Sequence, residues 1–132
     1  MKVKSVMAEF LNHLTYLGYK IHDEHDGTFL AKHKHYFSMI IQEKSTGIII
    51  YSSLKGSRAA KADRPGLLEC INTINAKSMV LRFYAGEKND LMMDAWLPKY
   101  YNRVGFANFM DLFYRDVKIL FSDEYGIGKY CR

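Results

Sequence analysis

Three stretches of the chain carry apolar residues at the three- and four-residue spacing of an amphipathic helix. The first stretch ends before Gly18, and its apolar positions are Val3, Val6, Met7, Phe10, Leu11, Leu14 and Leu17. The second follows Pro65, a residue suited to the first turn of a helix, and its apolar positions are Leu67, Leu68, Ile71 and Ile74. The third spans about 103–121 and is rich in Phe. We therefore predict three helices, each with one buried face.

Between these helices the pattern changes to alternating or β-branched residues, which favour strands. Strands are predicted to begin at 28 and at 36, and the run 48–51 fits a central strand buried on both faces. Residues 77–85 and 91–97 predict a second hairpin after the middle helix. Because the connections are short, neighbouring strands must be antiparallel. The expected order is αβββαββα, an α+β fold with helices packed on a mainly antiparallel five-stranded sheet.

The length of 132 residues suits one domain. We predict a single domain over 1–132, with a core over about 3–121 and a loose tail at 122–132. A membrane-spanning helix needs roughly 18 uninterrupted apolar residues, and no window has them. Glu9, Asn12 and His13 also interrupt any signal-peptide core. With two distant cysteines and no need for a disulfide, the chain is predicted to be cytoplasmic.

The positive charge is concentrated in one segment. The whole chain carries a net charge of +5, and segment 55–64 contains four cations and one anion, a net +3. This segment has no apolar periodicity and predicts a basic loop. Its cations, a candidate anion-binding set for nucleic acid or an anionic ligand, are Lys55, Arg58, Lys61 and Arg64.

The five histidines raise the question of a metal site. His33 and His35 would project from one face of a strand, with His22 and His25 just upstream. Zinc takes three or four ligands, and this spacing matches no closed zinc pattern. We expect neither a metal nor another cofactor.

A catalytic set is not recognisable in the sequence. A G-x-S-x-G nucleophile motif is lacking. Four carboxylates stand at positions that suit surface or capping roles: Asp90, Asp94, Asp111 and Asp116. We therefore predict that the protein is not an enzyme.

Aromatic residues make up 14% of the chain, more than a small interior needs. Surplus aromatic and Met side chains are typical of association surfaces. The candidate interaction surface comprises Trp96, Tyr100, Tyr101 and Met92. We expect a homodimer.

Two segments resemble a known family. Residues 67–75, Leu-Leu-Glu-Cys-Ile-Asn-Thr-Ile-Asn, resemble the L-L-x-x-I-N-x-L-N helix of the YbjN family of proposed bacterial sensory-transduction regulators. Residues 105–110 with Arg115 and Asp116 are similar to that family's final helix. The resemblance implies a type III secretion chaperone-like fold and no reaction, with Asn72 and Asn75 satisfying backbone groups. Secretion chaperones of this fold are typically acidic, whereas this chain is basic.

The sequence thus favours a non-enzymatic interaction module, chaperone-like or regulatory, that binds a protein or peptide. The alternative is nucleic-acid or anionic-ligand binding through 55–64.

Overall fold

The computed structural model describes residues 5–122 and 124–131. Four α-helices are present in this part: α1 (Val6–Tyr16), α2 (Arg58–Ala62), α3 (Arg64–Lys77) and α4 (Arg103–Leu120). Six strands accompany them: β1 (Lys20–Asp23), β2 (Thr28–Lys32), β3 (Met39–Glu43), β4 (Ile48–Leu54), β5 (Arg82–Ala85) and β6 (Leu91–Leu97). A 3₁₀ turn at Ile127–Lys129 follows α4. The α+β class is confirmed.

The sheet has six antiparallel strands in the order β1-β2-β3-β4-β6-β5, so the prediction of five strands is wrong. The missing strand is β1, which pairs with β2 from Lys20↔Lys32 to Asp23↔Phe29. Its sequence, Lys-Ile-His-Asp, has one apolar residue and no alternation to reveal it. A short polar edge strand of this kind is defined by its partner rather than by its own residues.

The chain divides into two compact units, each of which has most of its residue contacts within itself. Unit 1 is the part of the chain up to Ser52 together with Ala95–Asn108. Unit 2 is Ser53–Asp94 together with the part from Phe109 onward. The prediction of one domain is not tested by this division.

Unit 1 begins with α1, which is capped by Ser5, whose hydroxyl accepts a hydrogen bond from Ala8 N at 3.2 Å. The predicted start at Val3 lies outside the described residues. In β4, Ile48 and Ile50 are buried, whereas Ile49 and Tyr51 are partly exposed. One face of this strand is therefore buried rather than both.

Unit 2 contains a helix where a loop was expected. Residues 58–62 of the basic segment form α2, whose N-cap is Ser57. The next helix, α3, is capped by the Asp63 carboxylate, which accepts a hydrogen bond from Gly66 N at 3.0 Å. Two consecutive caps allow helical structure in a segment that lacks an apolar stripe.

The described residues after Phe121, 122 and 124–131, include buried positions that a loose tail would not have; residues 123 and 132 lie outside the described residues. Ile127, Tyr130 and Cys131 are buried. The Tyr130 hydroxyl donates to Asp63 Oδ2 at 3.0 Å, and Ser57 N donates to Tyr130 O at 2.6 Å. These contacts join residues about 70 positions apart, which no local pattern can reveal.

The strand β5 begins at Arg82, although alternation predicted a strand from 77. The preceding residues are held by α4 instead. Asp116 is fully buried, and its carboxylate accepts hydrogen bonds from the backbone N–H groups of Met79, Val80 and Leu81 at 2.8–3.0 Å. Because these N–H groups bind a carboxylate, they are not available to continue a strand ladder.

Asn75 closes the outer edge of β5. Its side-chain amide donates to Phe83 O at 2.8 Å, and its carbonyl oxygen accepts from Phe83 N at 2.9 Å. The strand order places β5 at the end of the sheet, so both Phe83 groups face away from β6. The Asn75 amide thus takes the place of a neighbouring strand. The other residue implied by the resemblance, Asn72, is exposed.

The two cysteines of unit 2 are expected to react slowly with thiol reagents. Cys131 is buried, and Cys70 Sγ donates to Tyr125 O at 2.7 Å. Burial raises the pKa of both thiols, which lowers the thiolate fraction. We expect the native protein to react with Ellman's reagent about tenfold or more slowly than the urea-unfolded protein. Rapid release of two equivalents of chromophore from native protein would contradict this prediction.

Candidate functional site

Three residues of the predicted interaction surface lie in unit 1, and they differ in exposure. Trp96 on β6 is 56% exposed and Tyr100 is 73% exposed, as expected of an association surface. Tyr101 is only partly exposed and hydrogen-bonds to His13. Met92 lies in unit 2, partly exposed, and pairs with Tyr84 on β5. Trp96 and Tyr100 are therefore the two strongly exposed residues of the predicted set, and both lie in unit 1.

The stretch of unit 1 that contains Trp96 and Tyr100 has two further exposed apolar residues, Pro98 and Val104; Val104 is 68% exposed. We call this set the 96–104 surface. An apolar groove of about 380 Å³ lies beside it. The groove is lined by Phe10, Leu97, Pro98, Tyr100, Asn102, Gly105 and Phe106. Exposed apolar area next to a groove is typical of binding surfaces.

The Trp96 side chain is positioned by a glycine. Its indole and the Leu97 carbonyl lie so close to Gly47 that a Cβ atom there would overlap both. Gly47 belongs to the turn between β3 and β4 that the sequence predicted at 44–47. The turn glycine thus leaves room for Trp96 to lie against the sheet.

A second cleft of unit 1, which the sequence did not reveal, lies between α1 and the start of α4. Its volume is about 480 Å³. Six of its eight lining residues carry polar groups; the eight are Glu9, Asn12, His13, Tyr16, Leu17, Tyr101, Arg103 and Ala107. We call it the His13 cleft. The sequence signal that could have revealed it is the set of polar side chains at Glu9, Asn12, His13 and Tyr16, which share one face of an amphipathic helix.

His13 is 9% exposed, and its Nδ1 lies 2.7 Å from the Tyr101 hydroxyl. The direction of this hydrogen bond depends on the tautomer of the imidazole. Burial, and to a lesser extent the charge of Arg103, lowers the pKa of His13 below its ordinary 6.5. The imidazole is therefore neutral at neutral pH.

The lowered pKa of His13 predicts a loss of stability in acid. Below pH 6.5 the unfolded chain binds a proton at His13 more readily than the folded chain does, so protonation favours unfolding. The contribution of neutral His13 to the free energy of unfolding is complete above pH 6.5. It declines as the pH falls toward the lower pKa that His13 has in the folded protein. Urea denaturation of wild type and His13→Gln at pH 7.5 and 5.5 measures this effect. We expect wild type to lose more stability than the variant; equal losses would contradict the prediction.

The four cations of the predicted anion-binding set lie in unit 2, and the Arg64 side chain already donates hydrogen bonds within that unit. The Arg64 guanidinium donates to Gly86 O at 3.2 Å and to the Asn89 side chain. Lys55, Arg58 and Lys61 are exposed. Arg58 and Lys61 lie three residues apart on α2, hence on neighbouring positions of its surface. Binding of nucleic acid or an anionic ligand at this segment stays a prediction.

The histidines of the H-x-H pair lie after the end of β2 and not within a strand. Both ring nitrogens of His33 are hydrogen-bonded, Nε2 to Leu17 O at 3.0 Å and Nδ1 to His35 N at 2.9 Å. Within residues 5–122 and 124–131, His, Cys, Asp and Glu side chains form no group of three or more that could hold a metal ion.

Three of the four carboxylates considered for catalysis make structural hydrogen bonds. Asp90 Oδ1 accepts from Gly56 N at 2.8 Å, and Asp94 accepts from the Arg82 guanidinium at 2.8 and 3.0 Å. Asp116 is buried as described above, so its prediction as a surface residue is wrong, and Asp111 is exposed.

In the part of the chain that is described, no helix has the length and hydropathy that crossing a bilayer requires.

The class of protein that these observations define is an α+β protein with four helices and an open six-stranded antiparallel sheet. A solved structure with this fold is the crystal structure of YbjN from E. coli, a proposed transcription regulator. The TM-score is 0.69 at 14% sequence identity, and the match covers 98% of this chain and 99% of that chain. The YbjN-like fold predicted from residues 67–75 and 105–116 is therefore confirmed. No family model and no curated protein matches the sequence.

Proposed function

We propose that this protein is a non-enzymatic, cytoplasmic regulatory module that acts by binding proteins and that forms a homodimer through the 96–104 surface. The observation that carries the proposal is the exposure of Trp96, Tyr100 and Val104 in unit 1, together with an apolar groove that Pro98 and Tyr100 line. The similarity in fold to a proposed transcription regulator supports a regulatory role. A more specific version of this proposal is the chaperone-like role that the resemblance implies, in which the bound partner is a protein or peptide segment.

The charges around the 96–104 surface favour a second copy of the chain as the occupant. The Lys99 ammonium lies 3.4 Å from the Glu43 carboxylate, and both side chains are partly exposed. A two-fold interface places the same patch of each copy against the other, and it therefore needs a self-complementary surface. A rim that carries charges of both signs meets this need, because Lys99 of each copy can form an ion pair with Glu43 of the other copy. An exposed ion pair contributes little within one copy, so its rearrangement costs little.

The dimer is testable through the single tryptophan of the chain. Because Trp96 lies in the proposed interface, association should shift its fluorescence emission to shorter wavelength as the protein concentration rises. We expect size-exclusion chromatography with light scattering to show a dimer at micromolar concentration. Removal of exposed aromatic and aliphatic anchors by Tyr100→Ser with Val104→Ser should raise the dissociation constant at least about tenfold.

A matched control is Leu68→Ser with Tyr84→Ser, which removes two exposed apolar side chains of unit 2. This control should leave the dimer intact. A wild-type protein that stays monomeric at micromolar concentration would overturn the proposed homodimer. An equal effect of the control would overturn the assignment of the interface.

A further inference from the structure

The His13 cleft brings polar side chains of two helices together. Glu9, Asn12, His13 and Tyr16 lie at positions i, i+3, i+4 and i+7 of α1, and hence on one face of that helix. The opposite wall contains Arg103, the first residue of α4. The Asn102 side chain caps this helix by accepting a hydrogen bond from Gly105 N at 2.8 Å. The positive end of the α4 dipole therefore adds to the charge of Arg103 at the cleft.

The cleft contains one charge of each sign. Within residues 5–122 and 124–131, neither Glu9 nor Arg103 has an ion-pair partner within 4.0 Å. Since burial keeps His13 neutral, the formal charge of the lining is zero. A ligand with a single charge would satisfy one of these groups and meet repulsion from the other. The pair therefore favours a small ligand that itself carries both charges.

The remaining lining includes three aromatic rings, those of His13, Tyr16 and Tyr101. The His13 ring packs edge-on against Tyr101, with ring centroids 5.9 Å apart, and against Tyr16 at 6.4 Å. Tyr16 is largely exposed, so its ring is free to contact a ligand. Aromatic side chains prefer to pack on other aromatic rings in such arrangements. The cleft volume of about 480 Å³ falls within the usual range of small-molecule sites, roughly 300–1,000 Å³.

We propose that the His13 cleft binds a free aromatic α-amino acid. Arg103 binds the α-carboxylate, Glu9 binds the α-ammonium, and the rings of Tyr16 and Tyr101 contact the aromatic side chain. This site goes beyond the proposed dimer: Tyr101 and Arg103 lie in the same stretch of chain, but no lining residue of the cleft is one of the four that define the 96–104 surface, and none lines its groove. Occupancy of the cleft would then depend on the concentration of the free amino acid, so a regulatory module could respond to that concentration.

Isothermal titration calorimetry with three related compounds tests the proposal. L-Phenylalanine carries both charges, phenethylamine lacks the carboxylate, and 3-phenylpropionate lacks the ammonium. We expect wild-type protein to bind L-phenylalanine saturably and to bind each single-charge compound at least about tenfold more weakly. Similar affinity for all three compounds, or a preference for a single-charge compound, would overturn the assignment of the two charges.

Two variants connect the binding to the named side chains. Glu9→Gln keeps the size of a partly exposed side chain and Arg103→Gln shortens an exposed one, so both variants should fold, as circular dichroism can verify. Each should weaken L-phenylalanine binding at least about tenfold. The controls Glu69→Gln and Lys118→Gln change exposed charges on other helical positions and should bind like wild type.

The proposal fails if wild-type protein shows no saturable binding of L-phenylalanine at millimolar concentration, or if the two cleft variants bind like the controls. Its failure is distinguishable from that of the proposed dimer, because light scattering without ligand measures the dimer separately.

Discussion

Replacement of Asp116 by Ala is expected to lower the free energy of unfolding by about 3–5 kcal/mol. The substitution leaves the backbone N–H groups of Met79, Val80 and Leu81 without their acceptor. An unsatisfied buried donor costs about 1–3 kcal/mol, and water can reach some of these partly buried groups. The adjacent Arg115 guanidinium, 3.5 Å away and half exposed, adds little to the effect. Urea denaturation followed by circular dichroism measures the change.

Asp111→Ala is the matched control, because it removes an exposed carboxylate from the same helix. It should change the free energy of unfolding by no more than about 0.5 kcal/mol. If Asp116→Ala does not fold, Asp116→Asn provides the measurement. It keeps one acceptor oxygen but loses the charge that strengthens the bonds, so we expect an intermediate loss of about 1–2 kcal/mol. Equal stability of the Asp111 and Asp116 variants would contradict the structural role of Asp116.

Asn75→Ala is expected to destabilise the protein by about 2 kcal/mol and to make it prone to aggregation. The substitution removes the acceptor of Phe83 N and the donor to Phe83 O together. The outer edge of β5 then exposes unpaired backbone groups that can pair with a strand of another molecule. Urea denaturation measures the loss of stability, and light scattering during incubation at elevated temperature measures aggregation.

Asn72→Ala is the control for this variant, because it removes the same side chain from an exposed position one turn earlier on α3. It should resemble wild type in both measurements. Asn75→Asp should be at least as destabilising as Asn75→Ala, because a carboxylate oxygen would then face Phe83 O. A normal stability of Asn75→Asp would show that the amide does not bind both groups of Phe83.

Periodicity in the sequence was sufficient to predict α1, α3 and α4, because each buries one face and spaces its apolar residues accordingly. The strand β3 was predicted from alternating apolar residues, β4 from the β-branched run 48–51, and β2 and β6 from short runs that follow turn signals. The position of Asn75 near the end of its helix, together with the family resemblance, also predicted that its side chain satisfies backbone groups. These features share one property: the residues that signal them are close together in the chain.

Apart from α2, which the nearby caps Ser57 and Asp63 allow, the features that were missed depend on residues far away in the sequence. The edge strand β1 exists through pairing with β2, and the C-terminal segment is packed through Tyr130 and Asp63. The late start of the predicted strand 77–85, at Arg82, depends on Asp116, which lies about 35 residues later. The His13 cleft needs α1 and the start of α4 side by side, about 90 residues apart. Local spacing determined the helices α1, α3 and α4 and most of the strands. Tertiary contacts decided which strand lies at the edge of the sheet, where β5 begins, which carboxylate is buried and which polar side chains share a cleft.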